Sequence, residues 1–237
     1  MTLPPGQRAV DGFPRFGTHL HRPPPPIPAE SVIEVGGVLS STVMLPVSEL
    51  ADLPRRELTA DFHCVAGWSA TGLRWEGVAF ETFYRELIAP HIDSAVAVSH
   101  VVFGGLDGYR SVVRIEDAME PDVLVADRLN DRPLDPDHGA PVRLVSPGQY
   151  GFVSTKHLCR IEVETAAPAR PYRSLPLVVR GGLRLVTPHP RARVWSEERH
   201  RHLPGWAVRP VYRLLIGPIR TLAARAGRGS APGRGRG

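Results

Sequence analysis

Only one of the 29 basic residues in this 237-residue chain is a lysine, Lys156; the other 28 are arginines. That scarcity excludes a lysine-rich nucleic-acid surface and any mechanism that needs two lysines. Cysteine is nearly as scarce. Cys64 and Cys159 permit one disulfide at most, and they exclude both a disulfide scaffold and a paired Cys-x-x-Cys zinc site. No uninterrupted apolar run approaches the roughly 20 residues that cross a bilayer as a helix. The opening MTLPPGQRAVDGFPRFG has no apolar secretory core and no twin arginine followed by one. The expectation is a soluble, reducing, cytoplasmic setting.

Acidic residues are scarce at one end. Residues 191–237 hold 11 arginines against two glutamates, a net of +9, so the overall +5 leaves −4 on the first 190 residues. What is present is enough for a core: 42% of residues are hydrophobic and 22% charged, which argues against global disorder. Pro (25) and Gly (23) are frequent enough to demand many turns and short strands.

The chain opens polar and Pro-rich, ending in HRPPPPIP, an extended polyproline stretch. Residues 32–45 read as two short strands around Gly36-Gly37, and 46–56 as a short helix. Residues 58–67 read as a strand ending at Gly67. Phe80, Phe83, Tyr84, Leu87 and Ile88 are spaced as a helix within 75–90, stopped by Pro90. Further strands are expected at 94–104, 110–114, 122–129, 141–147 and 156–165, with a short helix near 115–119. Residues 166–190 read as loop, with one strand candidate, LPLVVRGGLRLV. From Pro210 to Ala226, Val211, Leu215, Ile219 and Leu222 share a helix face; Pro210 suits a first turn and Pro218 should kink it. No internal repeat is present. Many short strands with few helices and no βαβ regularity predict an α+β fold dominated by mixed sheets.

Three stretches carry the chemistry: DFHCVAGWSATGLRWEGV (61–78), FGGLDGYRS (103–111) and DHGAPVRLVSPGQYGFVSTKHLCRIEV (137–163). In this order and spacing they resemble the molybdopterin-binding domain of the sulfite oxidase superfamily, over roughly residues 13–165. The resemblance implies a sulfite-oxidase-type fold, a molybdenum cofactor and oxygen-atom transfer. It implies a molybdopterin-binding oxidoreductase domain, placed here over 1–190; the charge and helical spacing of the remainder predict a basic helical extension over 191–226, and its Gly/Arg-rich composition a disordered tail at 227–237.

Cys64 matches the one protein thiolate that ligates the metal in that family; the plainer reading is a buried free thiol. Cys159, in an apolar alternation, reads as core. Arg143 and Lys156 match basic positions that hold the pterin phosphate, for which an arginine fork and an ammonium are suited; otherwise they are solvated charges. His138, Ser154 and Thr155 match further cofactor contacts, and Gly139 and Gly151 would let the backbone approach. The family's entry segment points to His19, or second to His21. Tyr109 sits where sulfite oxidases carry an active-site tyrosine beside the metal; its alternative is a half-buried structural phenol.

The sequence also departs from the family. No cation follows Cys64 until Arg74, unlike sulfite oxidases, and the pattern leans toward the bacterial methionine-sulfoxide-reductase catalytic subunits. That branch has an acid where Ala66 stands. No haem or flavin segment is present, so the resemblance implies a small-molecule substrate and a separate haem or flavin partner for electrons. The competing reading is a non-enzymatic module whose Arg-rich end binds an anionic surface; peripheral membrane contact through 207–226 fits it better than nucleic acid. A zinc site on His63 and Cys64 is disfavoured, because strand neighbours point to opposite faces.

Overall fold

Three consecutive residues, Leu124, Val125 and Ala126, are all fully buried. A strand can do this only when both faces are covered, because successive side chains alternate. Val125 enters one apolar cluster, while Leu124 and Ala126 enter another. The strand that carries them thus lies between two cores. The computed structural model describes residues 2–15, 23–168 and 187–228.

The first sheet contains β1 (Arg8–Ala9), β4 (Arg55–His63), β5 (Trp68–Ala79), β8 (Leu124–Leu129), β9 (Arg132–Pro133) and β10 (Arg143–Val145). Its path runs β1-β5-β8-β10, with β4 paired to β5 and β9 to β8. The second sheet has the order β3-β2-β11-β6-β7. Its members are β2 (Val32–Gly37), β3 (Val43–Pro46), β6 (His100–Gly105), β7 (Arg110–Arg114) and β11 (Leu158–Glu164). Pairs β1·β5 and β2·β11 are parallel and the rest antiparallel, so both sheets are mixed. The larger core joins Ile33, Val35, Phe103 and Ile161 of the second sheet to Val78, Val125 and Leu144 of the first. The smaller core lies on the far face of the first sheet and holds Cys64, Trp68 and Trp75. Helices are few: α1 (Phe80–Phe83), continued by a wider π-type turn over Tyr84–Ile88, α2 (Ile115–Ala118) and α3 (Gly205–Arg228). The mixed-sheet α+β expectation therefore holds.

Several boundaries differ from expectation. Trp75–Ala79 is strand, because Trp75 pairs with both Leu58 and Leu129, and the helix begins only at Phe80. Residues 94–99 precede β6, with Ser94, Ala95 and Ala97 exposed and Val98 packed partly against the larger core. The short helix at 46–56 is a 3-10 turn, Val47–Asp52, anchored by buried Leu50. The strand expected to reach Gly67 ends at His63, which puts Cys64 on a turn.

The C-terminal part departs most. Residues 191–203 are not helical: Ala192 and Val194 are completely buried in the larger core. Tyr150 N–H donates to Ala192 O (2.8 Å) and Val194 N–H to Gly148 O (3.0 Å). A boundary at 190 thus cuts a segment woven into the core. Helix α3 begins at Gly205 and contains both Pro210 and Pro218. The strand candidate at 175–186, His19, His21 and residues 229–237 lie outside the described residues. No described helix is long and apolar enough to cross a membrane.

Candidate cofactor site around Cys64

The turn at Cys64 joins two long antiparallel strands. Gly67 N–H donates to Cys64 O (2.9 Å) and Cys64 N–H to Trp68 O (2.8 Å). Gly67 takes φ +93°, open to glycine at low cost, and a Cβ there would lie 3.1 Å from Gly6 O. The N-terminal segment holds the turn from one side. Gln7 Nε2 donates to Cys64 O (3.1 Å), and Ser69 Oγ donates to Gln7 Oε1 (3.1 Å). Ser69 has spent its one proton, so His63 Nδ1, 2.8 Å away, is the donor to Ser69 Oγ. His63 is thereby tied through Ser69 to Gln7 and so to the backbone of the Cys64 turn. Among the described residues no group of three His, Cys, Asp or Glu side chains converges to hold a metal.

Cys64 is 4% exposed. Its Sγ accepts from Ala66 N–H at 3.5 Å. Burial pushes its thiol pKa up to about 12, with the Ala66 N–H and the Arg199 cation pulling the other way. A buried thiol of this kind loses its proton when a soft cation takes its place.

Behind β4 lies Arg143, completely buried. Its guanidinium donates to the carbonyls of His138 (2.9 Å), Ser154 (3.1 Å) and Leu144 (3.3 Å). It faces Trp75, Phe62 and Phe13, 5.3–5.9 Å from their ring centres. Loss of water lowers its pKa to about 9. Lys156 is half-buried and donates to Asp137 O (2.6 Å). Desolvation, then the neighbouring cations Arg143 and Arg15, bring its pKa down to about 7. Gly139, at φ +109°, makes room for it: a Cβ there would lie 3.0 Å from Lys156 Cβ.

The structure brings His138, Ser154 and Thr155 to the same place. His138 is spent on protein partners: Nε2 lies 2.8 Å from Phe13 O, Nδ1 lies 2.8 Å from the Asp135 carboxylate, and the ring stacks on Phe13. Ser154 Oγ accepts from Ser146 N–H (3.2 Å), and Thr155 Oγ1 is hydrogen-bonded to Ser111 Oγ (2.7 Å). These residues therefore shape the loop that aims Arg143 and Lys156. Tyr109 donates its phenol proton to Phe152 O. The same loop returns to the cysteine, since Gly151 N–H donates to His63 O (2.7 Å).

Residues 21–172 match the sequence profile of the oxidoreductase molybdopterin binding domain. This chain belongs to that family. It is similar to the protein-methionine-sulfoxide reductase catalytic subunits MsrP of Xanthomonas axonopodis pv. citri (29% identity over 189 residues) and Campylobacter jejuni (28% over 200). These alignments span 74% and 75% of this chain but 58% and 64% of the relatives, so the chain covers about three-fifths of their length. It is 28% identical over 163 residues to the uncharacterized oxidoreductase YuiH of Bacillus subtilis, covering 68% of this chain and 78% of that one. Among solved structures, the sulfane dehydrogenase SoxCD of Paracoccus pantotrophus shares the fold, with a TM-score of 0.52 at 20% identity over 70% of this chain and 44% of that one.

The residues present fit the family's cofactor. Arg143 makes no ion pair with a carboxylate among the described residues, a counter-charge that a phosphate would supply, and burial with the neighbouring cations Arg143 and Arg15 outweighs Asp137 and Asp107 at Lys156. Cys64 offers one soft donor. When bound, the molybdenum cofactor supplies the two-electron chemistry; this chain's residues hold and orient it. Cys64 would ligate the metal, and Lys156 and Arg143 would face the anionic end.

The sequence reading missed residues beyond the family-matched span. Arg199 is completely buried and donates through Nη1 to Val65 O, next to Cys64. Tyr212 and Ile216 of α3 sit over the same turn: at Gly67 a Cβ would lie 3.6 Å from Ile216 Cδ1 and 3.8 Å from Tyr212 Cβ. His200 Nε2 lies 2.6 Å from Tyr212 Oη. Tyr212, at helical spacing from Ile216, was readable as an inward face. Arg199 carried no signal.

Proposed function

We propose that the protein is a molybdenum-cofactor-dependent oxidoreductase that moves an oxygen atom to or from a small sulfur- or nitrogen-containing substrate. The observation that carries this reading is a buried thiol, Cys64, two residues from Phe62, whose ring faces Arg143, a completely buried cation with no carboxylate ion pair among the described residues. In the sulfoxide direction, the first to assay given the named relatives, a sulfoxide takes two electrons and two protons and leaves as the thioether and one water. The electrons come from a separate haem or flavin partner. Cys64 is the metal ligand and Arg143 and Lys156 the anion holders, while the Tyr109 phenol proton is held by Phe152 O rather than turned to a substrate. The test is metal analysis of protein made in a host that supplies molybdopterin. About one molybdenum per chain is expected, lost in Cys64→Ser. Absence of molybdenum and of releasable pterin from the wild-type preparation would refute the reading.

A second interaction is favoured by α3. Its outward face carries Trp206 (69% exposed), Val211 (57%) and Leu214 (79%), and the helix holds Arg213 and further arginines but no acid. We infer an accessory contact with an anionic membrane surface, in which apolar side chains enter the interface and arginines meet headgroups. Co-sedimentation with phosphatidylglycerol vesicles at low salt should fall at least about fivefold in Trp206→Glu/Leu214→Glu. No sedimentation of the wild type would remove this contact and leave the enzyme reading intact.

A further inference from the structure

Arg199 lies outside the family-matched residues 21–172, yet it is bound into the cysteine turn. Its donors reach three backbone carbonyls from two distant segments: Val65 O through Nη1, and Pro5 O (3.4 Å) and Gly6 O (3.3 Å) through Nη2. Its guanidinium carbon lies 5.0 Å from the centre of the Tyr150 ring and 5.6 Å from that of Tyr212. The residue is 0% exposed, Nε has no hydrogen-bond partner, and no carboxylate pairs with it among the described residues. A permanent charge is thus held away from water with no counter-charge, which is costly unless an anion forms beside it. On the turn that Arg199 grips, residues 64–67, Cys64 is the one side chain able to become an anion. Its electrostatic influence reaches the Cys64 sulfur.

We propose that Arg199 is a positioning residue of the metal centre: it fixes the Cys64 turn and holds a permanent positive charge beside the thiolate and its metal. The inference rests on Cys64 being the molybdenum ligand. Adding an electron makes that centre more negative, so a neighbouring cation favours the reduced form and raises the reduction potential. The carbonyl clamp keeps the guanidinium from swinging away, and the two tyrosine faces accept it without neutralising it. The C-terminal segment would then be part of the active site, supplying the cation that the sequence after Cys64 lacks.

The test compares wild type, Arg199→Gln and Arg199→Lys, each produced with cofactor. Molybdenum content is measured first, then the one-electron potential by redox titration of the molybdenum(V) paramagnetic signal. Arg199→Gln should make reduction at least tenfold less favourable, a negative shift of about 59 mV for one electron. Arg199→Lys, which keeps the charge and loses the stacking fork, should recover most of that shift. An unchanged potential in loaded Arg199→Gln overturns the proposal. If Arg199→Gln does not fold or load, Arg199→Lys decides: loading with a near-wild-type potential supports a charge role, and failure to load assigns Arg199 to packing alone and overturns it. Wild type without molybdenum would instead fail the cofactor reading itself, and this inference with it.

Discussion

Lys156 should leave a pH signature in the cofactor-free protein. Its ordinary pKa of 10.5 falls to about 7 in the fold. Between those values the unfolded chain keeps a proton that the native chain has released. Stability therefore rises with pH across that window, by at most about 1.4 kcal/mol per pH unit for one proton. Below pH 7 both states are protonated and this slope vanishes. Urea midpoints measured at pH 7, 8 and 9 should climb in the wild type and flatten in Lys156→Met; an equal climb in both would contradict the assignment. Lys156 was legible because it is the lone lysine, standing in a block whose order resembles a pterin site. Arg199 was not, because one buried arginine among 28 looks like the rest. Its role is set by carbonyls at residues 5, 6 and 65, and no local pattern encodes such a partner set.

Elements were readable where alternation or helical spacing is local, and unreadable where pairing is remote. Strand β11 lies parallel to β2, with Ile161 opposite Val35, and the two-residue β1 forms only because Gly67 O and Ser69 O are waiting for it. Trp75–Ala79 joined a strand for the same reason: its backbone groups are taken by β4 and β8 before a helix can claim them. The loop from Gly148 to Thr155 is where elements meet, and Gly151 is its tightest point. A Cβ there would lie 2.0 Å from Phe62 Cζ. Phe62 also faces Arg143, so the ring cannot retreat without disturbing the buried cation. Gly151→Ala should destabilise the fold by roughly 1–3 kcal/mol through overpacking. The same change should lower molybdenum occupancy, because the displaced ring adjoins both Arg143 and the strand leading to Cys64. Urea denaturation and metal analysis on one preparation check both; a wild-type midpoint would show that the loop relaxes freely.

Across the whole molecule, the two ends of the described chain meet over one turn. Residues 5–7 hold it from one side, Arg199 grips Val65, and Tyr212 and Ile216 lie across Gly67. The sequence suggested a catalytic body with a basic appendage, because charge changes sign near residue 190. Packing does not follow that boundary: Ala192 and Val194 sit in the main core, and α3 presents one face to the turn and another to solvent. If α3 is the cover over Cys64, loosening it should expose the thiol while leaving the sheets intact. Ile216 is 9% exposed, and Ile216→Asp would place a carboxylate in an apolar contact, at a cost of several kcal/mol to docking. Cofactor-free Ile216→Asp should then react with iodoacetamide at Cys64 at least about tenfold faster than wild type. Cys159 supplies an internal reference, since it is half-buried on β11 with its thiol on Gly104 O, far from α3 in sequence. Mass spectrometry reads both sites on one chain. A selective rise at Cys64 identifies the helix as the cover; a parallel rise at both reports general unfolding, and an unchanged ratio assigns the burial of Cys64 to the sheet alone.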